Sequence, residues 1–205
     1  MFEKFDDAHI STDRPPGGKA IDVCIGIDHG ADAGSEVAVL TAIERNGQHP
    51  RIWVLDEYTS GSAPPSKHAR GILQMLKRNG LTWKHVDRWI GDRGYGGKRW
   101  GGKMSNGRLM RALEAELHMG AGQLPFGIRT AWKPRGSVYQ GISILHEAMV
   151  LDNFRVHPRC VQLIRSIKHH TMKDDHTKHS LDATRYSLEL VTRGKVHSPS
   201  KVRMY

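Results

Sequence analysis

Three aspartates stand where acidic side chains are unusual in this 205-residue sequence. Asp28 follows the most apolar short run of the chain, and Asp92 follows a second apolar run and leads into a glycine-rich segment. A carboxylate at the end of a buried strand is costly unless it is paired or binds a cation. Asp182 lies in a helical pattern near the C-terminus. Because carboxylate oxygens are the ligands that Mg²⁺ and Mn²⁺ prefer, the three residues together predict a divalent-cation site.

The helical pattern around Asp182 gathers polar side chains on one face. At about 100° per residue, that face comprises Asp175, His179, Asp182 and Tyr186. If the face packs against a sheet, His179 and Asp182 project toward the strand ends. There, His179 could ligate a metal, orient a water or bridge to a phosphate.

Each acid also has a simpler interpretation. Asp28 could cap a following turn, and Asp182 could be a solvent-exposed helix acid. Asp92 could pair with Arg93 or Arg88. A common cluster explains all three placements at once, so the metal site is the stronger hypothesis.

The charge balance favours a polyanionic partner. The sequence has 31 Lys and Arg residues against 21 Asp and Glu, which gives a formal net charge of +10. Such a surplus indicates that the partner is nucleic acid, unless the charge serves only to keep the protein soluble. Residues 93–113 contain no acid, several glycines and six cations: Arg93, Lys98, Arg99, Lys103, Arg108 and Arg111. A glycine-rich basic loop that begins at a candidate metal carboxylate suits a phosphate backbone. The alternative is a solvated loop without a ligand.

The composition excludes several classes of protein. A hydrophobic content of 38% is too high for a disordered chain, and no apolar run approaches the roughly 18 residues of a membrane helix. The first twenty residues are polar, so we expect no signal peptide. Cys24 and Cys160 cannot form a disulfide scaffold and make no CxxC pair, which favours a reducing cytoplasm.

The pattern of predicted elements is α/β. Three consecutive strands with short links predict an antiparallel meander, and a fourth strand is reached through a helix that begins at Pro64-Pro65 and ends before Asn79-Gly80. The predicted strands cover 21–27, 36–43, 51–56, 86–91 and 127–131, and the predicted helices 64–78, 105–119, 138–150, 160–169 and 177–193, with 154–157 as a short extended piece. We therefore expect an N-terminal arm over 1–20, one domain over 21–193 and a basic tail over 194–205.

The motifs around the three aspartates resemble a known family. They are similar to the nuclease domain at the C-terminal end of the large terminase subunit of tailed bacteriophages, within the RNase H-like (retroviral-integrase) superfamily. The resemblance covers about residues 21–193 and depends on CIGIDHG, WIGDRGYGG and KDDHTKHSLDATRYSL. The third motif is the most specific, because an acid followed by H-S-x-D-A-x-R-Y is how this family presents its final metal carboxylate.

The resemblance implies a fold and a site. The fold is a mixed five-stranded sheet, three strands antiparallel and two parallel, flanked by helices, with Asp28 and Asp92 on adjacent central strands. Asp28, Asp92 and Asp182 would be the metal-binding triad. His179 would line the metal site, and Asp175 would be a further acid beside it.

The resemblance also implies an activity. This is an Mg²⁺- or Mn²⁺-dependent endodeoxyribonuclease that cuts concatemeric double-stranded DNA with low sequence specificity, using two ions about 4 Å apart. Arg93, Lys98, Arg99, Lys103 and Arg108 would bind the DNA. The partners would be an ATPase motor domain or subunit, the small terminase subunit and the portal, in the cytoplasm of the infected host. No ATPase motif is evident, since the nearest match, GKRWGGKM at 97–104, has Met104 where Ser or Thr should bind Mg²⁺.

Other functions share some of these features. A Holliday-junction resolvase or an RNase H would carry similar strand-end acids, and an actin-like ATPase would begin with a motif like Asp28-His29-Gly30 but needs a longer chain. An HNH nuclease would require a ββα unit that is not evident in this sequence. The alternative outside catalysis is a DNA-binding packaging module whose acids are only structural.

Overall fold

A computed structural model describes residues 2–16, 21–29, 36–45, 49–61, 63–92, 105–169 and 178–192. These residues contain six strands in one mixed sheet: β1 (Ile21–Asp28), β2 (Glu36–Glu44), β3 (Arg51–Ser60), β4 (Arg88–Gly91), β5 (Ile128–Thr130) and β6 (Phe154–Val156). The strand order across the sheet is β5-β4-β1-β2-β3-β6. β1 therefore occupies a central position between β4 and β2.

Helices cover both faces of the sheet. They are α1 (Pro65–Arg78), α2 (Asn106–Glu116), α3 (Ser137–Val150), α4 (Val161–His169), α5 (Lys178–Ser187) and α6 (Glu189–Thr192). Ile25 and Ile27 of β1 pack with α1 and α2 in one buried cluster. Cys24, on the opposite face of β1, packs with α3, α4 and α5 in another. None of the helices in the described ranges is long and apolar enough to cross a membrane.

The sheet pairing agrees with the sequence prediction at its centre. β1, β2 and β3 form the predicted antiparallel meander, and β4 returns through α1 to lie parallel to β1. Ile27 is paired with Gly91, and the N–H of Asp92 donates to the carbonyl of Ile27 at 2.9 Å. The ends of β1 and β4 are thus adjacent, as predicted for Asp28 and Asp92.

Two elements differ from the prediction. The sheet has six strands where five were expected, because residues 154–156, which the sequence indicated only as an extended piece, pair in parallel with β3. A three-residue strand is too short to show a period in the sequence. The helix expected over 177–193 is divided between α5 and α6. Near the break, the Ser187 hydroxyl donates to the Thr184 carbonyl at 2.6 Å, a side-chain bond that competes with the helical ladder.

The N-terminal residues lie against the domain. Phe2 is buried in the core cluster that contains Val156, and Ile10 forms a parallel bridge with Val156. His9 is buried, and its Nε2 lies 3.1 Å from the Met149 carbonyl oxygen. The described part of the predicted arm therefore contacts the edge of the sheet and the end of α3, whereas the predicted tail lies outside the described residues.

Helix α5 lies unusually close to β1. A Cβ atom added to Gly26 would be 1.8 Å from the carbonyl oxygen of Ala183 and 2.9 Å from the backbone nitrogen of Ser187. The helix backbone thus occupies the space that any other residue at position 26 would need. Asp28 is two residues further on and points to the same face of the strand, so the close approach brings α5 next to it.

Replacing Gly26 by Ala should therefore lower the free energy of unfolding by about 1–3 kcal/mol or more, as overpacking does in a dense core. Urea denaturation followed by circular dichroism measures this change. Gly107→Ala is the matched control, since a Cβ there meets nothing within 4 Å, and it should be neutral or slightly stabilising in a helix. Equal stability of Gly26→Ala and the wild type would show that the helix does not depend on this contact.

Candidate active site

Asp28 lies buried at the end of β1 and contacts two side chains of α5. His179 Nδ1 is 2.6 Å from Asp28 Oδ2, and the Tyr186 hydroxyl donates to Asp28 Oδ1 at 3.5 Å. His179 and Tyr186 are seven residues apart, close to two helical turns, and so share one face of the helix. The helix face inferred from sequence spacing is therefore the face that meets the strand end.

Asp92 follows β4 and pairs with a lysine that the sequence analysis did not identify. Lys133 Nζ is 2.8 Å from Asp92 Oδ2 and 4.8 Å from the centre of the Tyr186 ring. Lys133 lies just after β5, which pairs in parallel with β4. Only the pairing of those two strands brings Lys133 to Asp92, and no local sequence signal marks it.

Asp182 pairs with Arg185, one turn further along α5. Arg185 Nε donates to Asp182 Oδ1 at 3.0 Å, and Nη2 donates to the same oxygen. Arg185 is also buried, and its Nη1 reaches the carbonyl of Ser137 at 3.4 Å. The arginine therefore fixes the Asp182 carboxylate and connects α5 to the start of α3. The i, i+3 spacing of the two residues could have suggested the pair from sequence.

The charges of the three carboxylates all influence the pKa of Tyr186. Burial raises the pKa of Tyr186 well above its usual range, and the negative charges of Asp28, Asp182 and Asp92 raise it further. The phenol therefore stays protonated at neutral pH and remains able to donate to Asp28. All three acids therefore influence one phenol electrostatically, while their joint role as metal ligands stays a prediction.

Each carboxylate of this group faces a cation of the chain, namely His179, Lys133 or Arg185. Within the ranges that the structure describes, no three His, Cys, Asp or Glu side chains form a group that could hold a metal ion. The chemistry of the donor set nonetheless suits Mg²⁺ or Mn²⁺, because it consists of carboxylates on two adjacent strands and on the helix packed across them. A divalent cation bound there would compete with the cationic side chains.

The surroundings of His179 favour the protonated form of its imidazole. The hydrogen bond to Asp28 raises the pKa of His179, burial opposes this, and the negative charges of Asp28 and Asp182 raise the pKa again, with a net increase from 6.5. A protonated His179 forms an ion pair with Asp28. The pair neutralises a carboxylate that would otherwise be buried and unpaired.

A second polar network supports the strand ends from the opposite face of the sheet. His29 Nδ1 lies 2.7 Å from Glu36 Oε1, and His29 Nε2 lies 2.8 Å from Asn106 Oδ1. Asn106 Nδ2 donates in turn to the Gly91 carbonyl at 3.4 Å. Burial lowers the pKa of His29, but its bonds to Glu36 and Asn106 outweigh burial and raise it. This network joins β1, β2, β4 and α2 beside the triad.

The remaining predicted site residues are placed less completely. Arg108 is exposed in the first turn of α2, where its backbone N–H donates to the Ser105 hydroxyl at 3.4 Å. The other members of the predicted set lie outside the described residues: Arg93, Lys98, Arg99 and Lys103 of the basic loop, and Asp175. Their roles stay predictions.

Solved structures share this architecture. The nuclease domain of the phage P22 large terminase matches over 93% of this chain and 91% of that domain, with a TM-score of 0.62 and 15% sequence identity. The chain has the fold of a phage large-terminase nuclease domain. The RNase H-like α/β class predicted from the sequence is thus confirmed at the level of fold. No protein-family model and no curated protein matches the sequence.

Two further terminase structures extend the comparison. The large terminase of the thermophilic bacteriophage D6E matches with a TM-score of 0.61 and 12% identity over 93% of this chain, which spans only 45% of the D6E protein. The nuclease domain of the SPP1 large terminase, solved with bound Mn, matches with a TM-score of 0.52 and 22% identity over 83% of this chain and 86% of that domain.

The ion pair between His179 and Asp28 predicts a pH dependence. Because the folded pKa of His179 is raised, the stabilisation is present in full below the unfolded value of 6.5 and is lost as the pH rises through the folded pKa. In chelator, an NMR titration of the imidazole should give a pKa above 6.5, and Asp28→Asn should lower it.

His68 provides the control for this titration. Burial lowers its pKa, and its ring contacts Tyr58 rather than Asp28, so Asp28→Asn should leave it unchanged. A His179 titration that is the same in the wild type and in Asp28→Asn would contradict the ion pair.

Proposed function

We propose that this chain is a nuclease of phage genome packaging that hydrolyses phosphodiester bonds of double-stranded DNA with the help of divalent cations. The observation that carries the proposal is the adjacency of the strand ends that bear Asp28 and Asp92. Helix α5, which carries Asp182, contacts Asp28 through His179 and Tyr186. The terminase nuclease fold supports the proposal, and the SPP1 domain of that fold was solved with bound Mn.

Asp28, Asp92 and Asp182 would hold Mg²⁺ or Mn²⁺, two ions in all, with Asp175 as a further candidate ligand. Bound ions of this kind activate a water for attack on phosphorus and stabilise the departing 3′ oxygen. No serine, cysteine or tyrosine nucleophile is required. In particular, burial and three nearby negative charges keep the Tyr186 phenol protonated, so it serves as a hydrogen-bond donor.

The chain's own cations would orient the carboxylates and the substrate. His179 donates from Nδ1 to Asp28 and so fixes the direction of that carboxylate. Lys133 lies against Asp92, and its ammonium would be available to a phosphate if Asp92 held a divalent cation. Arg185 is more firmly held, because it also reaches the Ser137 carbonyl.

The substrate assignment depends on charge. A net charge of +10 and the basic set Arg93, Lys98, Arg99, Lys103 and Arg108 suit the DNA backbone. Phosphate contacts carry no direct sequence information, so cutting should show low sequence specificity.

An ATPase motor is the expected partner. The chain spans less than half of the D6E large terminase, and that protein has been solved in complex with ADP and with ATP-γ-S. We propose that an ATPase motor domain or subunit acts with this nuclease in the cytoplasm of the infected host. The small terminase subunit and the portal complete the proposed assembly.

Asp28→Asn and Asp182→Asn should each reduce plasmid cleavage in Mn²⁺ by at least about a hundredfold, as losses of preorganised charge in an active site do. Gel-shift binding to DNA in chelator should be retained. Asp152→Asn is the matched control, because Asp152 is exposed with φ 55°, a conformation that Asn tolerates, and it should cut normally. Cleavage by Asp28→Asn at the wild-type rate would refute the proposed site.

The type of DNA substrate tests the function itself. Linear duplex, a four-way junction and an RNA–DNA hybrid should be offered side by side in Mn²⁺, with product analysis on denaturing gels. We expect cleavage of linear duplex at many positions. Strong preference for the junction would instead indicate a resolvase, and preference for the hybrid would indicate an RNase H. DNA binding without strand breaks would indicate a packaging module without catalysis.

A further inference from the structure

The segment between β5 and α3 presents cations and aromatic rings beside the triad. Between Glu116 and Glu147 the sequence contains no acidic residue. The Lys and Arg residues in this interval are Arg129, Lys133 and Arg135. All three are exposed. The segment is therefore a local concentration of positive charge, and we call residues 129–139 the basic-aromatic segment.

The backbone of the basic-aromatic segment is fixed to the candidate site. The N–H of Ala131 donates to the Gly91 carbonyl at 2.8 Å, one residue before Asp92. The N–H of Trp132 donates to Glu189 Oε2 at 3.2 Å, and Lys133 pairs with Asp92. A ligand bound on the outer side of this segment would thus lie close to Asp92.

Two large aromatic side chains of this segment face solvent. Trp132 is 49% exposed and Tyr139 is 62% exposed, although rings of this size usually contribute to cores or interfaces. The acids that contact the segment, Asp92 and Glu189, are largely buried on its inner side. The outer side therefore combines exposed aromatic rings with the exposed side chains of Arg129 and Arg135.

Nucleic acid is the partner that this combination fits. Arginines bind phosphates. Exposed aromatic rings stack on bases that are not buried in a duplex, and this stacking stabilises binding whatever the base. A backbone that is already fixed loses little freedom on binding. A surface that binds another protein has no need to lack acids or to adjoin Asp92, so these two features favour nucleic acid.

We propose that the basic-aromatic segment is a DNA-binding surface that holds the substrate strand beside the triad. Arg129 and Arg135 contact phosphates, and Trp132 stacks on a base that is exposed where the duplex opens next to the cut. Tyr139 extends the stacking surface along α3. This inference rests on the proposed function and deepens it. It does not require the residues of the basic loop that the sequence predicts to bind DNA.

The test measures DNA binding with cleavage blocked by Asp182→Asn and chelator. Fluorescence anisotropy at several salt concentrations gives the affinity for a duplex with a short frayed end. A 2-aminopurine in the frayed end reports stacking through its quenching. Trp132→Ala should weaken binding about tenfold and remove the quenching, whereas Trp132→Phe should largely restore both.

The arginines are tested in the same assay. Arg129→Ala with Arg135→Ala should reduce the slope of log affinity against log salt by about two, one for each lost phosphate contact. Val150→Ala and Arg165→Ala are the controls: both residues are exposed and lie outside the segment, and both variants should bind like the parent protein. Thermal melting of every variant confirms that it is folded.

The outcomes separate the two proposals. If the wild type does not cut DNA in Mn²⁺ but binding still depends on Trp132, the nuclease proposal fails and the DNA-binding surface stands. If the wild type cuts but affinity, quenching and salt slope are unchanged in all the segment variants, the surface is refuted. Unchanged DNA binding together with lost association with an ATPase domain would assign the surface to a protein partner and would also refute it.

Discussion

The packing of one helix backbone directly on a central strand sets the geometry of the whole site. Because position 26 is glycine, the carbonyl of Ala183 lies where a side chain would otherwise stand. That contact brings α5 near enough for His179 and Tyr186 to reach Asp28. Asp28 and the polar side chains of α5 are therefore brought together by main-chain packing first and by side-chain bonds second.

Charge neutralisation is the second constraint. Carboxylates at buried strand ends require positive partners, and the chain supplies His179, Lys133 and Arg185 for them. These cations line the same place where a phosphate and divalent cations would meet. A strongly basic protein can thus pair its strand-end and helix acids with its own cations, and its net charge of +10 favours a polyanionic partner.

Much of the central fold could be predicted from sequence, because its signals are local. The apolar runs of β1 to β3 and the Pro64-Pro65 start of α1 stand out along the chain, and the resemblance to terminase nuclease domains implies that Asp28 and Asp92 lie on neighbouring strands. The three-residue strand β6 has too little periodicity to be recognised. Before the break after α5, the hydroxyl groups of Thr184 and Ser187 bond to the helix backbone, and periodicity does not reveal such bonds.

Contacts between residues far apart in the chain were not predictable in the same way. Lys133 reaches Asp92 only through the pairing of β5 with β4, and the bond between His29 and Asn106 joins residues 77 positions apart. Such contacts depend on tertiary structure. The helix face that carries His179 and Asp182 was predictable, because it follows from the helical period alone.

The most direct test is to locate Mn²⁺ in crystals of the wild-type protein by its anomalous scattering. We expect anomalous peaks within bonding distance of carboxylate oxygens of Asp28, Asp92 and Asp182, with Lys133 moved away from Asp92. Crystals in saturating Mn²⁺ that show no peak at these oxygens, with Asp92 and Asp182 still paired to Lys133 and Arg185, would contradict a shared metal site.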